Sequence, residues 1–281
     1  MSRNHRKKMK ATPGKILVFI LLLVGSLAML LPFLWMAISS LKSQTELLQM
    51  PPTIFPKQPT LKNYQRVLEG IPFLHYYANS LATGLLNMAA GLFTSCIAGY
   101  IFAKYDFRGK NMLFVTMLAC MMIPYDTLMI PLYRIMVAFR WTNTFLVLTV
   151  PYFVNIFGIF LMRQFMQDIP KDFIDAAEID GCGQFRTFRS VILPIVRPAM
   201  AALCIFLFMA SWNSYIWPLI SVNSRDLFTL PVGLGAFQSD RGRQVDLIMA
   251  ASTMTVLPIF VVFLAAQKHF VQGITMAGIK G

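Results

Sequence analysis

Charge is scarce in this 281-residue sequence. Asp, Glu, Lys and Arg make up 13% of it, against roughly 25% in a soluble domain, while 57% is hydrophobic. Five stretches carry no charged residue at all: 16–38, 76–103, 141–162, 198–224 and 247–267. Histidine and cysteine are also few. His5, His75 and His269 are scattered and form no metal-ligating cluster. Cys96, Cys120 and Cys204 fall inside apolar stretches, where a thiol behaves as a small apolar group, and Cys182 lies in a polar loop. No disulfide framework follows from them. The phosphate-binding pattern G-x-x-x-x-G-K-[ST] is absent too. The pair Gly109–Lys110 has Lys104 where the first glycine belongs and is followed by Asn111.

What is present is length of apolar chain. A bilayer core of about 30 Å needs roughly 20 helical residues, and all five charge-free stretches are long enough. A sixth, 111–133, is apolar except for Asp126. An aspartate at the centre of a spanning helix costs about 2.5 to 3.5 kcal/mol. Asp126 therefore belongs near one membrane surface or along an interior. Six spans follow, or five if 111–133 is re-entrant. The blocks do not alternate, which excludes a β-barrel. The first stretch is too long for a signal-peptide core and has no small-residue cleavage site after it, so it reads as a retained anchor.

Basic residues set the orientation. Sixteen of the 25 Lys and Arg fall in the N-terminal arm, the loops after spans two and four, and the C-terminal tail. The positive-inside rule places both termini in the cytoplasm, as an even number of spans requires. The net charge of +13 is then mostly topology and attraction to anionic lipid. The expected organisation is a cytoplasmic basic arm over 1–15, a six-span permease domain over 16–268 and a cytoplasmic tail over 269–281.

Two loops stand out. In the external segment 43–75, Leu61, Tyr64, Val67 and Leu68 share one face at helical spacing. They predict a short amphipathic helix that is either a lid on the bundle or a dock for an external partner. The cytoplasmic loop 163–197 predicts a helix-turn-helix hairpin too short and polar to span. Pro170 suits a first turn, Lys171 to Ile179 continue it, and Asp172 and Asp175 lie near its positive end. Gly181 permits the reversal. A second helix runs from Gly183 to Val191, with Phe185, Phe188 and Ile192 on its apolar side. Such a hairpin either inserts in a soluble partner's groove or lies on the headgroups.

This loop resembles the signature loop of the membrane subunits of binding-protein-dependent ABC importers. That pattern is Glu-Ala-Ala, three residues, Gly, nine residues, then Ile-x-Leu-Pro. Here it reads Asp175-Ala176-Ala177, Gly181, and Val191-Ile192-Leu193-Pro194. Asp175 and Val191 depart from the pattern but keep its chemical type. Three further stretches resemble the carbohydrate-importing branch of the family: PPTIFPKQPTLKNY over 51–64, SWNSYIWPL over 211–219, and the ending VQGITMAGIKG over 271–281.

The resemblance implies an all-α membrane protein of the type I importer kind, with six transmembrane helices and a cytoplasmic coupling-helix hairpin. It implies a multi-pass permease subunit in a prokaryotic cell membrane, forming half of a path for a sugar or oligosaccharide. Asp175, Ala176, Ala177, Gly181, Phe185, Phe188, Leu193 and Pro194 would couple it to an ATPase. Gly278, Lys280 and Gly281 would lie at the ATPase interface. The implied partners are a second homologous permease, two ATPase subunits, and an extracellular or periplasmic solute-binding protein. This chain would not itself be an enzyme and would bind no cofactor, ATP and Mg being used by the ATPase. No nucleic-acid partner is expected.

For the substrate path, a sugar calls for hydrogen-bonding side chains beside stacking rings. Span five supplies Trp212, Asn213, Tyr215 and Trp217, with Pro218 able to break the helix, and span two supplies Asn79 and Asn87. The plainer accounts are an interfacial aromatic belt for Trp217 and helix–helix hydrogen bonding for Asn213. Other solutes remain open: glycerol phosphate, an amino acid or a peptide. An ion-coupled secondary transporter would need ionisable groups at mid-membrane; five charge-free spans argue against one.

Overall fold

The computed structural model describes residues 13–239, 242–257 and 259–260. It is helical throughout apart from one two-residue strand pair, 238–239 with 242–243. Helix α1 (Pro13–Ser39) comes first, then α2 (Lys62–Gly70) and α3 (Phe73–Lys104). Helices α4 (Lys110–Cys120) and α5 (Tyr125–Ala138) follow, then α6 (Ile156–Gln167), α7 (Asp172–Ile179) and α8 (Arg197–Trp212). Helix α9 spans Ile216–Ser221 and α10 spans Val245–Leu257.

The 32-residue helix α3 is the axis, and α6 and α8 lie along it. Small residues permit this closeness. A Cβ on Gly99 would stand 2.7 Å from the Met162 Cβ and 2.9 Å from the Arg163 backbone nitrogen. Gly91 faces the Leu207 methyls and Gly84 the Phe208 ring in the same way. With no hydrophobic driving force between helices in lipid, close backbone approach and interhelical hydrogen bonds must hold the bundle. Asn87 supplies such bonds. Its buried amide donates to the Leu148 carbonyl at 3.0 Å and the Ser211 hydroxyl at 2.9 Å. One core gathers Tyr100, Met162, Phe188, Ile192 and Leu203 at the end of the bundle that carries the 163–197 loop. A second, at the opposite end, gathers Val67, Tyr76, Trp212, Leu230 and Ala250.

Several expectations change. Block 111–133 is not one straight helix: α4 and α5 meet at 101° across residues 121–124, the geometry of a broken span or a re-entrant loop. Pro124 explains the break, since it disfavours helix in the residue before it. Asp126 sits in the first turn of α5, where the helix dipole favours an acid. The fifth block breaks at 213–215 rather than at Pro218, which takes the third position of α9, where its missing N–H is no loss. Block 141–162 opens with a short helix, Phe145–Thr149, and a 3-10 turn before α6, and the stretch Phe145–Gln167 is long and apolar enough to cross a membrane as expected. Of block 247–267, only 247–257 and 259–260 are described. Helix α2 forms, but Val67 and Tyr64 turn inward with Asn63, while Leu61 and Leu68 stay exposed. Asn63 explains this rotation: its amide donates to the carbonyls of Ser40 and Lys42, both at 2.8 Å.

Helix α1 differs from the rest. Every residue from 16 to 35 is exposed, and its first tether to the fold is Trp35, whose ring lies 4.7 Å from the Lys42 ammonium.

Candidate functional site

The 163–197 loop folds as a hairpin. Helix α7 is entered through Pro170 and Lys171 and closed by a Schellman motif. The Cys182 N–H donates to the Ala177 carbonyl at 2.9 Å and the Gly181 N–H to the Glu178 carbonyl at 3.0 Å. Gly181 has φ +75°, the left-handed region that a Cβ disfavours. The second arm is a single α turn, Gln184–Thr187, that widens into a π turn over Phe188–Ile192. The wide turn bonds the Leu193 N–H to the Phe188 carbonyl, five residues back. It relieves the clash that Pro194 would otherwise make with a carbonyl four residues earlier.

The hairpin has an inner and an outer face. Phe188 is buried, its ring 5.0 Å from Tyr100 of α3. Leu193 packs on the same core, and Pro194 is half-buried. The Tyr105 hydroxyl bonds the Gln184 side chain, and Lys104 donates to the Ile169 carbonyl at 2.5 Å. Ala177 is also buried, so the hairpin itself uses its small size. Asp175 and Ala176 are exposed. So is Phe185, at 72%, beside two residues the sequence did not single out, Ile179 at 87% and Phe173 at 51%. A solvated loop does not ordinarily display three large apolar side chains on a rigid frame. The unusual placement of Ile179 at the tip of an acidic helix was the available signal.

A second feature lies toward the other end of the bundle. Three irregular segments converge there: the 121–124 break before α5, the 3-10 turn Val150–Tyr152, and the 213–215 break after α8. Between them is a cavity of about 530 Å³, within the range of small-molecule sites. Tyr125, Tyr152, Asn213, Ser214, Tyr215 and Trp217 line it. Non-helical backbone at membrane depth is tolerated where it is buried in protein or lines a watery cavity. Asn213 and Tyr215 are exposed to this space. Trp217 is buried in the cavity wall, its indole donating to the Val147 carbonyl at 2.8 Å.

The other expected path residues are placed elsewhere. Asn87 is committed to α8 and Leu148, as above. Asn79 donates to the carbonyls of Asp226 and Phe228 at 2.8 and 3.0 Å. Trp212 is buried against Phe208 and edge-on to Tyr77. Tyr125 and Tyr152 were not legible as path residues, although both follow a proline, Pro124 and Pro151. Gly278, Lys280 and Gly281 lie outside the described residues.

Helices long and apolar enough to cross a membrane, broken where a cavity forms and carrying a braced hairpin, define a membrane-embedded transport subunit. Comparison with known proteins makes the class specific. The family model of the binding-protein-dependent transport system inner membrane component matches residues 91–276, a stretch that includes the hairpin and the helix breaks. The chain is 34% identical over 270 residues to the arabinooligosaccharides transport system permease protein of Bacillus subtilis, covering 95% of this chain and 96% of that protein. It is 30% identical over 277 residues to the trehalose/maltose transport system permease protein of Thermococcus litoralis, covering 95% and 99%. In fold it is similar to a chain of a bacterial ABC transporter involved in the import of the acidic polysaccharide alginate. The TM-score there is 0.79 at 22% identity, over 93% of this chain and 99% of that one. The chain belongs to the family of binding-protein-dependent transport system inner membrane components.

Proposed function

We propose that this chain is one permease subunit of an ATP-driven importer for a sugar or oligosaccharide. It forms half of the translocation path and takes its energy from separate ATPase subunits. The observation that carries this reading is the hairpin, pinned to α3 through Phe188, Tyr105 and Lys104 while offering Phe173, Asp175, Ala176, Ile179 and Phe185 outward. A rigid loop with an apolar outer face suits a groove in a soluble partner, and its bracing suits the transfer of that partner's motion into α3 and α8. The hairpin would face the cytoplasm, with both termini, as the distribution of basic residues requires. ATP and Mg would be used by two partner ATPases, this chain having no phosphate-binding loop.

A second, homologous permease accounts for α1. A helix that is exposed from residue 16 to 35 needs lipid or another subunit around it, and two permeases together enclose a path that one leaves open. A solute-binding protein on the opposite side of the membrane would deliver the sugar. The permeases named for arabinooligosaccharides and for trehalose/maltose favour a saccharide over glycerol phosphate, an amino acid or a peptide.

Reconstituted complexes provide the test. Gly181→Asp forces a side chain into the left-handed region, at about 1 to 2 kcal/mol, and adds charge at the turn. It should abolish substrate-stimulated ATPase and transport while leaving sugar binding to the solute-binding protein intact. Asp175→Glu should be mild. Wild-type transport by Gly181→Asp would end the coupling role. Deletion of residues 271–281 should impair assembly or ATPase regulation without preventing membrane insertion.

A further inference from the structure

The cavity where the three helix breaks converge has a definite chemistry. Among the described residues that line it there is no Lys, Arg or His. The adjoining ionisable residue in sequence is an acid, Asp126, next to Tyr125 in the first turn of α5. The polar groups on the wall are neutral: the hydroxyls of Tyr125, Tyr152 and Ser214 and the amide of Asn213.

The three hydroxyls form a chain. Tyr125 and Tyr152 are 3.3 Å apart, oxygen to oxygen, and Tyr152 and Ser214 are also 3.3 Å apart. An O–H···O bond is ordinarily 2.7 to 2.8 Å long, so these contacts are loose. Little is lost when such a hydroxyl turns from its neighbour to a ligand. The contrast with Asn79 and Asn87 is direct, since their amides are held by bonds of 2.8 to 3.0 Å to groups of the fold. Tyrosine and serine hydroxyls both donate and accept, as saccharide hydroxyls do. The rings of Tyr125 and Tyr215, each 43% exposed, offer faces for the apolar side of a pyranose or furanose ring.

We propose that this half of the path is built for an uncharged saccharide and disfavours an anionic one, with Tyr125, Tyr152 and Ser214 as its specificity-determining hydroxyls. The proposal rests on reading the chain as a saccharide permease and names the substrate class of that site. A carboxylate or sulfonate entering the cavity would leave water without meeting a cation, a transfer that is strongly unfavourable. The uncharged sugar exchanges its water for hydroxyls of the same kind.

Cavity charge can be read without knowing the sugar. The complete importer, with the four native cysteines of this chain replaced, carries Ala210→Cys on the cavity wall or Asn213→Cys at the break. It is placed in nanodiscs and treated with three methanethiosulfonates: hydroxyethyl, sulfonatoethyl and trimethylammonium-ethyl. Each rate is divided by the same reagent's rate with free 2-mercaptoethanol and measured with and without a trapping ATP analogue. The expected result is a sulfonatoethyl rate roughly tenfold or more below the hydroxyethyl rate, the scale on which a cleft's field changes encounter. The cationic reagent, with the Asp126 carboxylate adjoining the wall, should be slowed less than the anionic one. A sulfonatoethyl rate equal to or above the hydroxyethyl rate at both positions overturns the proposal while leaving the path reading intact. No reaction with any reagent in either nucleotide state removes the cavity from the path, and the proposal falls with it.

Discussion

Helix α1 and helix α3 are both long and apolar enough to cross a bilayer, yet they are used in opposite ways. Every residue of α1 from 16 to 35 is exposed, and 15 of those 20 residues are Leu, Ile, Val, Phe or Met. Helix α3 buries eleven residues, and most of these are small or polar: Ser80, Thr83, Gly84, Asn87, Gly91, Ser95, Cys96 and Gly99 among them. In water the more apolar helix would be the more deeply buried. In a membrane lipid solvates leucine as well as protein does, so large apolar side chains mark surface. Glycine, serine and asparagine mark contact. The bare α1 agrees on this point: a helix written for a surrounding of lipid makes almost no bonds to the rest of the described residues.

Matched substitutions break or sharpen the comparison. The largest effect is expected from Gly99→Leu set against Gly25→Leu. At Gly99 the first added carbon already meets the backbone of residue 163 at 2.9 Å, which cannot give without separating α3 from α6. At Gly25 nothing lies within 4 Å. Overpacking in a core costs about 1 to 3 kcal/mol and occasionally more, and a backbone clash belongs at or above the upper end. Fluorescence-detected size exclusion after a heat step should show Gly99→Leu largely lost and Gly25→Leu unchanged as an isolated chain. Equal behaviour of the two would remove the distinction between the helices.

The next effect divides the hairpin. Phe188→Ala empties a site against Tyr100 and Ile192 and should cost about 3 kcal/mol of stability. Phe185→Ala removes a ring that is 72% exposed and should leave the isolated chain's melting temperature where it was. The order inverts in a pull-down of the ATPase subunit, where Phe185→Ala should lose retention. Loss of thermal stability in Phe185→Ala with normal ATPase retention would reverse the assignment of the two faces.

Much of this was readable from residue order. The hairpin was, because Pro170 and Gly181 each have one local use, and the Asp-Ala-Ala and Leu-Pro landmarks fix its register. The helical membrane character was readable because charge-free runs have few alternatives. The breaks were not. A count of apolar residues over 111–133 is blind to the 101° turn at Pro124, since the chain is equally apolar on either side. The destinations of Asn79, Asn87 and Trp212 were also hidden. An asparagine facing a carbonyl of its own bundle and one facing a sugar have the same sequence signature, and only the bond decides. Helix α2 shows the same limit from the other side. Its apolar spacing grouped Leu61 and Leu68 with Tyr64 and Val67, but a pair of amide bonds from Asn63 turns only Tyr64 and Val67 inward.

A smaller effect is expected at Asn87. Interhelical hydrogen bonds in membrane proteins average about 0.6 kcal/mol and reach about 1.7. Asn87→Leu removes two bonds and crowds the Leu148 and Ser211 neighbours, so a loss of about 1 kcal/mol is expected. Asn87→Ser should lose less, because it keeps a donor without added bulk. A steric trap or denaturant titration in bicelles would measure both. A stabilised Asn87→Leu would show that the contact between α3 and α8 rests on packing alone.

The smallest effect lies in the segment that joins the two contrasted helices. Residues 40–61 are held by Glu46, whose Oε1 accepts from the Thr53 hydroxyl and the Lys57 backbone N–H, both at 2.9 Å. Lys42 is buried beside them and donates to the Thr53 carbonyl. The Lys57 N–H, with lesser help from Thr53 and the two lysines, holds the Glu46 carboxyl below its ordinary value of 4.5. A carboxylate whose pKa is lower folded than unfolded contributes stability above the unfolded value. That contribution fades as pH falls through the folded one. Hydrogen exchange over residues 44–57 should therefore be insensitive to acidification from pH 8 to about 5, after correction for the intrinsic rate. Protection should fall below pH 4.5. Glu46→Gln, which keeps an acceptor but cannot titrate, should be slightly less protected at pH 7 and should show a flatter acid response. Because among the described residues α1 meets the rest of the fold from Trp35 onward, the loosening should reach α1 and leave α3 protected. Acid-induced exchange appearing first in α3 would show that this joint does not separate the two helices.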